Sequence, residues 1–238
     1  MLRGNARGNQ EWGTNMTKHK VETHYNFQPG TRAVELEEVK RPRIGIYSGG
    51  FDPVHAGHIV FALKAQKVAG LERVYFVPER RPQHGVEPEH YVHRTVMLKN
   101  ALRPYEQFTI FDLPDARLTS RSLSRVIEAL PPADLSLLTT ASELLWHDGE
   151  LPALYHKLHL VIAVTSHAQM AEVLGRLTAG DKLFGNITFI DIGTAHISST
   201  AIRQSIRTGK PVRGILPSVW RYARKQWLYL PPIRHGQS

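Results

Sequence analysis

The stretch SGGFDPVHAGHIV, residues 48–60, lies where an apolar strand pattern ends and a helical pattern begins. Its glycines let a ligand approach the backbone closely and tolerate positive φ angles. His55 and His58 are three residues apart and therefore share one face of the helix start. Unpaired N–H groups at a helix start favour phosphate, imidazoles can donate hydrogen bonds to it, and a protonated imidazole would neutralise its charge. The stretch predicts a phosphate-binding site.

Two other interpretations of the histidine pair stay open at this stage. Histidines are often structural residues, and a pair on one helical turn can also bind a metal ion. The zincin motif H-E-x-x-H contains a glutamate that this His-x-x-His spacing lacks. The Walker motif G-x-x-x-x-G-K and the dinucleotide motif G-x-G-x-x-G are also absent, so any phosphate site here is of another type.

A second cluster, HISSTAIR at residues 196–203, follows the last strand pattern and opens a helix. Ser198, Ser199 and Thr200 are candidates for the helix cap, and Arg203 lies one turn further along. Hydroxyls and free N–H groups at such a helix start can bind phosphate, although capping alone would also explain the serines. We expect the two clusters to lie side by side around one polyphosphate chain.

The charge of the chain is concentrated near its C-terminus. The net charge is +9, and of the 30 Lys and Arg residues eight fall in residues 192–238, which contain no Asp or Glu. A field of one sign favours an anionic ligand, and nucleic acid or a small polyphosphate would both qualify, as would a solvated basic helix. The absence of cysteine excludes disulfides, thiolate zinc sites and a cysteine nucleophile.

Short apolar runs alternate with amphipathic segments from Arg43 onward, and runs that are apolar on both faces are typical of a covered parallel sheet. Strands are predicted at residues 43–48, 73–78, 108–112, 134–140, 158–164 and 187–192. Helices are predicted at residues 57–69, 91–102, 120–130, 149–157, 167–178, 199–208 and 217–227. This alternation predicts a doubly wound α/β fold with C-terminal helices, which binds ligands at the carboxyl ends of its strands.

The ends of the chain differ from this pattern. Residues 1–42 carry scattered Gly, Asn and charge without a sustained apolar period, so we expect a mobile extension ahead of a domain at 43–230 and a tail at 231–238. No apolar run of about 18 residues and no secretory signal is present, so we expect a cytoplasmic protein without a membrane span.

Together the two clusters resemble the nucleotidyltransferase superfamily with the HxGH signature, and most closely its bacterial nicotinate-mononucleotide adenylyltransferase family. SGGFDPVHAGH is similar to the family motif G-G-x-F-D-P-x-H-x-G-H, and ISSTAIR matches I-S-S-T-x-I-R. The C-terminal region resembles the family at Pro217, Val219, Tyr222 and the pair Leu228–Tyr229. The resemblance covers about residues 43–230.

The resemblance implies a Rossmann-like fold and the transfer of AMP from ATP to nicotinate or nicotinamide mononucleotide, with release of pyrophosphate, in NAD biosynthesis. ATP would be a substrate, with Mg²⁺ on its triphosphate, and no protein nucleophile would be needed. It further implies that His55 and His58 contact the ATP phosphates as catalytic residues. The ATP-binding residues would be Ser48, Gly49, Gly50, Phe51, Ser198, Ser199, Thr200 and Arg203.

The middle of the chain departs from the family pattern, which leaves the acceptor open. Acceptor-binding residues implied by the resemblance are His84, Arg94, Thr119 and Glu143. Gly85 replaces a family lysine, for which Arg80 or Arg81 could supply the charge, and ASE (141–143) stands at a family Gly-x-Asp. Another phosphorylated acceptor with ATP or CTP, or a non-catalytic nucleotide-binding protein, therefore stays open. Partners are expected to be small molecules rather than nucleic acid, and a homo-oligomer is compatible with the sequence.

Overall fold

A parallel sheet forms the centre of the computed structural model, which describes residues 40–80, 89–112, 119–146, 153–179, 184–193 and 197–230. These residues belong to one compact unit that begins at Lys40. The strands are β1 (Arg43–Gly49), β2 (Arg73–Pro78), β3 (Phe108–Ile110), β4 (Asp134–Thr140), β5 (His159–Val164) and β6 (Asn186–Asp191). Their order is β3-β2-β1-β4-β5-β6, so it reverses between β1 and β4, where a doubly wound sheet opens a ligand crevice.

Helices cover both faces of the sheet. They are α1 (Ala56–Ala69), α2 (Tyr91–Leu102), α3 (Ser120–Ala129), α4 (Ala141–Trp146), α5 (His167–Thr178), α6 (Ser199–Arg207) and α7 (Pro217–Lys225). Side chains of α1, α2, α6 and α7 pack with Tyr47 on one face, while those of α3, α4 and α5 pack with Ile44 and Ile46 on the other. Because side chains alternate along a strand, β1 contributes to both cores and is buried on both faces.

The predicted fold class is confirmed, with differences at the ends of some elements. The third strand ends at Ile110, and Ala153–Lys157 forms a 3-10 turn inside the helix predicted at 149–157. The last helix ends at Lys225, two residues before the predicted end, because Trp227 adopts a left-handed φ of 56°. The N–H of Leu228 then donates to the Ala223 carbonyl (3.0 Å), which is the closing bond of a Schellman turn.

One helix was not predicted. Helix α4 begins at Ala141, directly after β4 ends at Thr140, so no turn residue separates the two. Ala141 is fully buried and its φ is not positive, so alanine fits where the related family has glycine.

The chain ends lie outside the described residues. Residues 1–39 and 231–238 are among those that the structure does not describe, so the predicted extension and tail stay predictions. Within the described part of the chain, every helix is too short or too polar to cross a membrane.

Candidate active site

The turn between β1 and α1 is anchored in the core by the side chain of Phe51. This residue has a left-handed φ of 45°, and the following Asp52–Pro53 peptide bond is cis. The Phe51 ring is 2% exposed and packs edge-on against Tyr47, with ring centroids 5.4 Å apart. A ligand could therefore meet only the backbone of Phe51, while the turn is held at the carboxyl end of β1.

His55 and His58 form a stacked pair at the start of α1. His55 is the N-cap residue, and the two ring centroids are 3.7 Å apart with an interplanar angle of 29°. The backbone N–H of His55 donates to Nδ1 of His58 at 3.1 Å. Because Nδ1 of His58 accepts this hydrogen bond, the neutral ring carries its proton on Nε2. His58 is thus held as a donor through Nε2.

Both imidazoles are neutral near pH 7. Burial lowers the pKa of His55 to about 4. Burial and, second, the nearby His55 charge lower the pKa of His58 well below its ordinary value. The two rings can therefore offer directed N–H donors, whereas the sequence had suggested that a protonated ring could also neutralise phosphate charge.

Gly57 has a packing role that the sequence did not reveal. A Cβ on Gly57 would lie 3.0 Å from both Cε1 and Nδ1 of His55, so glycine makes room for the His55 ring. Nδ1 of His55 is buried there without a hydrogen-bond partner among the described residues. Nε2 is consequently the His55 nitrogen that can meet a ligand.

The second sequence cluster lies directly beside this turn. The Ser199 hydroxyl donates to the carbonyl of Pro53 at 2.9 Å, and Nη1 of Arg203 donates to the carbonyl of Asp52 at 2.6 Å. The start of α1 and the start of α6 are thereby joined across 146 residues of sequence. The two predicted phosphate clusters therefore lie side by side, as expected from the sequence.

Several side chains of α6 already have partners within the protein. The hydroxyl of Ser198 accepts the N–H of Ala201 at 3.1 Å, so Ser198 is the helix cap. The Thr200 hydroxyl accepts from Nη2 of Arg203 at 3.2 Å. The N–H groups of Ser199 and Thr200, at the first two positions of α6, are the donors that a helix start leaves for an anion.

Asp52 and Arg203 form a buried ion pair beneath the turn. Asp52 is 6% and Arg203 is 9% exposed, and Nη1 of Arg203 lies 3.6 Å from Oδ2 of Asp52. Oδ1 of Asp52 also accepts the hydroxyl of Tyr229 at 2.7 Å. Neither Asp52 nor Tyr229 was singled out from the sequence as a site residue. The sequence pointed to Asp52 only as part of the first motif, and to Tyr229 only as part of the Leu228–Tyr229 pair that resembles the family.

Arg94, expected to contact the acceptor, is fully buried and braces three backbone segments instead. Its guanidinium donates to the carbonyls of Gly50, Arg80 (Nη2, 3.1 Å) and Glu89 (Nε, 2.8 Å). These carbonyls belong to the turn after β1, the segment after β2 and the start of α2. In this structure Arg94 therefore joins the three segments around the turn, and a contact with the acceptor stays a prediction.

The remaining predicted residues lie around the carboxyl edge of the sheet. Ser48 donates through its hydroxyl to Oε1 of Glu79 at 3.1 Å, next to the backbone of Gly49 and Gly50. Thr119 is exposed and caps α3, its hydroxyl accepting the N–H of Ser122 at 3.2 Å.

Glu143, in the first turn of α4, lies where strand order reverses between β1 and β4. Burial and, second, the charge of Glu143 raise the pKa of Tyr47, which places this carboxylate near β1.

The segment after β2 is partly described. Arg80 pairs with Asp112, with Nη2 and Oδ1 3.1 Å apart, and its guanidinium lies 4.3 Å from the centre of the Tyr91 ring. Arg80, one of the two arginines that could replace the family lysine, is thus engaged with Tyr91 of α2 and with Asp112 just after β3. The predicted acceptor residue His84, together with Arg81 and Gly85, lies outside the described residues.

Comparison with known proteins shows the family to which the chain is similar. The cytidylyltransferase-like family model matches residues 46–205. A protein of Desulfitobacterium hafniense is 32% identical over 197 residues, covering 79% of this chain and 95% of the relative. A protein of Saccharopolyspora erythraea is 31% identical over 202 residues, covering 80% and 91%. Both carry the name probable nicotinate-nucleotide adenylyltransferase.

Solved structures show the same fold. Plasmodium falciparum nicotinic acid mononucleotide adenylyltransferase complexed with NaAD superposes with a TM-score of 0.65 at 19% identity, covering 79% of this chain and 97% of that one. The same enzyme complexed with APC gives a TM-score of 0.63. From the matched family model and the relatives above 30% identity, the chain belongs to the cytidylyltransferase-like family of nucleotidyltransferases, among the nicotinate-nucleotide adenylyltransferases.

Proposed function

We propose that this protein transfers AMP from ATP to nicotinate mononucleotide, or to nicotinamide mononucleotide, and so forms a dinucleotide of NAD biosynthesis. The observation that carries the proposal is the junction of the two clusters, in which Ser199 touches Pro53 and Arg203 touches Asp52. This junction supports a single polyphosphate site between the histidine pair and the first turn of α6. The names of the sequence relatives supply the reaction and the acceptor.

In the proposed reaction a phosphate oxygen of the mononucleotide attacks the α-phosphorus of ATP. A new P–O bond forms, the bond to the bridging α–β oxygen breaks, and pyrophosphate leaves with the electron pair of that bond. Mg²⁺ enters on the triphosphate as part of the MgATP substrate. The protein contributes position and preorganised donors, which is how phosphoryl-type transfers are generally accelerated.

The neutral histidines suit this task. Nε2 of His58 donates to the phosphate oxygens, on which charge accumulates as the bond to pyrophosphate breaks. His55 stacks on His58 and holds its ring through the backbone N–H bond to Nδ1. The N–H groups of Ser199 and Thr200 receive the triphosphate end, and the backbone of Gly49 and Gly50 lines the nucleotide.

The test is a panel of phosphorylated acceptors offered with MgATP or MgCTP to the purified full-length chain. Pyrophosphate release is expected with ATP and nicotinate or nicotinamide mononucleotide. It is not expected with phosphopantetheine or a simple sugar phosphate. Turnover with another acceptor alone would replace the proposed substrate. Calorimetry that shows ATP binding without turnover of any acceptor would identify a nucleotide-binding protein instead.

A further inference from the structure

The C-terminal end of the described chain reaches the active-site turn through Tyr229. After α7 the chain reverses through two left-handed residues that are not glycine, Trp227 (φ 56°) and Tyr229 (φ 63°). Trp227 is 77% exposed, whereas Tyr229 is 6% exposed. The backbone is thus held in an uncommon conformation that brings the tyrosine, not the tryptophan, inward.

The inward-pointing Tyr229 side chain contacts the carboxylate of Asp52. The Tyr229 hydroxyl donates to Oδ1 of Asp52 at 2.7 Å across 177 residues. Oδ2 of the same carboxylate accepts the N–H of Glu89 at 3.3 Å and faces Arg203. Each side of the Asp52 carboxylate is therefore held by a different part of the chain.

Asp52 is close in sequence to the catalytic pair. The next residue, Pro53, accepts the Ser199 hydroxyl, and His55 follows two residues later as the cap of α1. A displacement of the Asp52 carboxylate would therefore move the backbone that sets the positions of both imidazoles. Burial raises the pKa of the Tyr229 hydroxyl, and the Asp52 charge raises it further, so the hydroxyl stays protonated and remains a donor.

We propose that Tyr229 is a positioning residue for adenylyl transfer, because its hydroxyl holds Asp52 and thereby the turn that presents His55 and His58 to ATP. This inference rests on the proposed function. Apolar packing alone would not need the hydroxyl, since phenylalanine fills the same volume. The hydroxyl is directed at a buried carboxylate, where hydrogen bonds are stronger than those between neutral groups.

The test compares Tyr229→Phe with the matched control Tyr222→Phe. Tyr222 lies in α7, and its hydroxyl meets Nδ1 of His93 in α2 at 3.0 Å rather than the Asp52 carboxylate. Loss of a hydrogen bond to a charged group is expected to lower kcat/KM about ten-fold in Tyr229→Phe, with a raised KM for ATP. The control should stay within about two-fold of the wild type. A smaller folded fraction would lower apparent kcat alone, so the rise in KM separates positioning from simple destabilisation.

Amide hydrogen exchange of residues 54–59 gives a readout that does not depend on turnover. Exchange at the start of α1 should be faster in Tyr229→Phe and unchanged in Tyr222→Phe. If the wild type shows no turnover, the proposed function fails, while the exchange comparison still decides the role of Tyr229. Wild-type KM together with wild-type exchange in Tyr229→Phe would overturn the inference.

A second variant tests whether Tyr229 acts through Asp52. Asp52→Asn keeps the size of the side chain but removes its charge, so it is also expected to raise KM for ATP. The effect of Tyr229→Phe should then be smaller in the Asp52→Asn background than in the wild type, since coupled residues are not additive. Fully additive losses would show that Tyr229 does not act through Asp52.

Discussion

The two edges of the sheet both carry histidine, buried at one edge and half-buried at the other. At the carboxyl edge, Nδ1 of His55 has no hydrogen-bond partner among the described residues. At the amino edge, His159 has a partner at each ring nitrogen. Nδ1 pairs with the Ser136 hydroxyl at 3.0 Å and Nε2 pairs with the Thr188 hydroxyl at 2.9 Å. The three side chains lie on neighbouring strands, so His159 connects β4, β5 and β6.

The amino edge also carries a large cavity. Its volume is about 720 Å³, and its lining includes Arg43, Lys157 and the three residues of this chain of hydrogen bonds. Burial and, second, the charge of Arg43 lower the pKa of His159, as burial does for the active-site pair. A cavity beside a histidine of lowered pKa therefore does not by itself identify an active site. What distinguishes the carboxyl edge is a stacked imidazole pair that lies beside the N-terminus of α6.

The largest expected effect is the loss of the His58 donor. His58→Ala should lower kcat by roughly two to four decades, because a preorganised donor to transition-state charge is typically worth that much. His58→Asn, which keeps a side-chain N–H, should recover part of this loss. Steady-state pyrophosphate release measures both variants, with thermal unfolding as the control for folding. Near-normal turnover of His58→Ala would mean that the histidine at the carboxyl edge has no catalytic role and so does not differ in function from His159 at the amino edge.

The next largest effect is expected at Arg94. Arg94→Met keeps much of the volume but leaves the carbonyls of Gly50, Arg80 and Glu89 without their common donor. Removing a buried hydrogen-bonded cation should lower the free energy of unfolding by roughly 3 kcal/mol. Urea unfolding measures the change, and Arg80→Met, at a half-exposed ion pair, is the comparison variant. Equal small losses in both would mean that Arg94 does not brace the site.

The sequence predicted the parts of this site that depend on local chemistry. A strand end rich in glycine, a histidine pair on one helical turn and a serine-rich helix start each follow from neighbouring residues. Partners far apart in sequence were not accessible in this way. Arg203 was assigned to phosphate, yet its guanidinium meets Asp52, 151 residues away. Arg94 was assigned to the acceptor, yet it meets Gly50 across 44 residues.

Some backbone features were also beyond the sequence pattern. Helix α4 begins without a turn residue, so a local pattern has no break to indicate it. Left-handed residues are expected to be glycine or asparagine, and Trp227 and Tyr229 are neither. Tertiary burial of Tyr229 against Asp52 outweighs the local preference there. The predicted acceptor residues Thr119 and Glu143 stay predictions until a bound acceptor is tested.

The lowered pKa of His55 should make the stability of the protein depend on pH. Its pKa is about 4 in the folded protein against 6.5 for an ordinary histidine, so the unfolded chain binds the proton first as pH falls. Stability should therefore decrease as pH drops from about 6.5 toward 4, by at most on the order of 3 kcal/mol from this residue. The difference in free energy of unfolding between wild type and His55→Asn, measured across this range, isolates the effect. A pH-independent difference would contradict the lowered pKa.

The smallest effect is expected at the amino edge. His159→Phe removes both side-chain hydrogen bonds while filling the space, so Ser136 and Thr188 lose their shared partner. The free energy of unfolding should fall by about 1 kcal/mol, since the buried Ser136 hydroxyl and the half-buried Thr188 hydroxyl lose their protein partner. Turnover per folded molecule should stay within about two-fold of the wild type, because the strands separate this residue from the phosphate site. Unchanged stability with a large loss of kcat would give the amino edge a catalytic role and reverse the comparison.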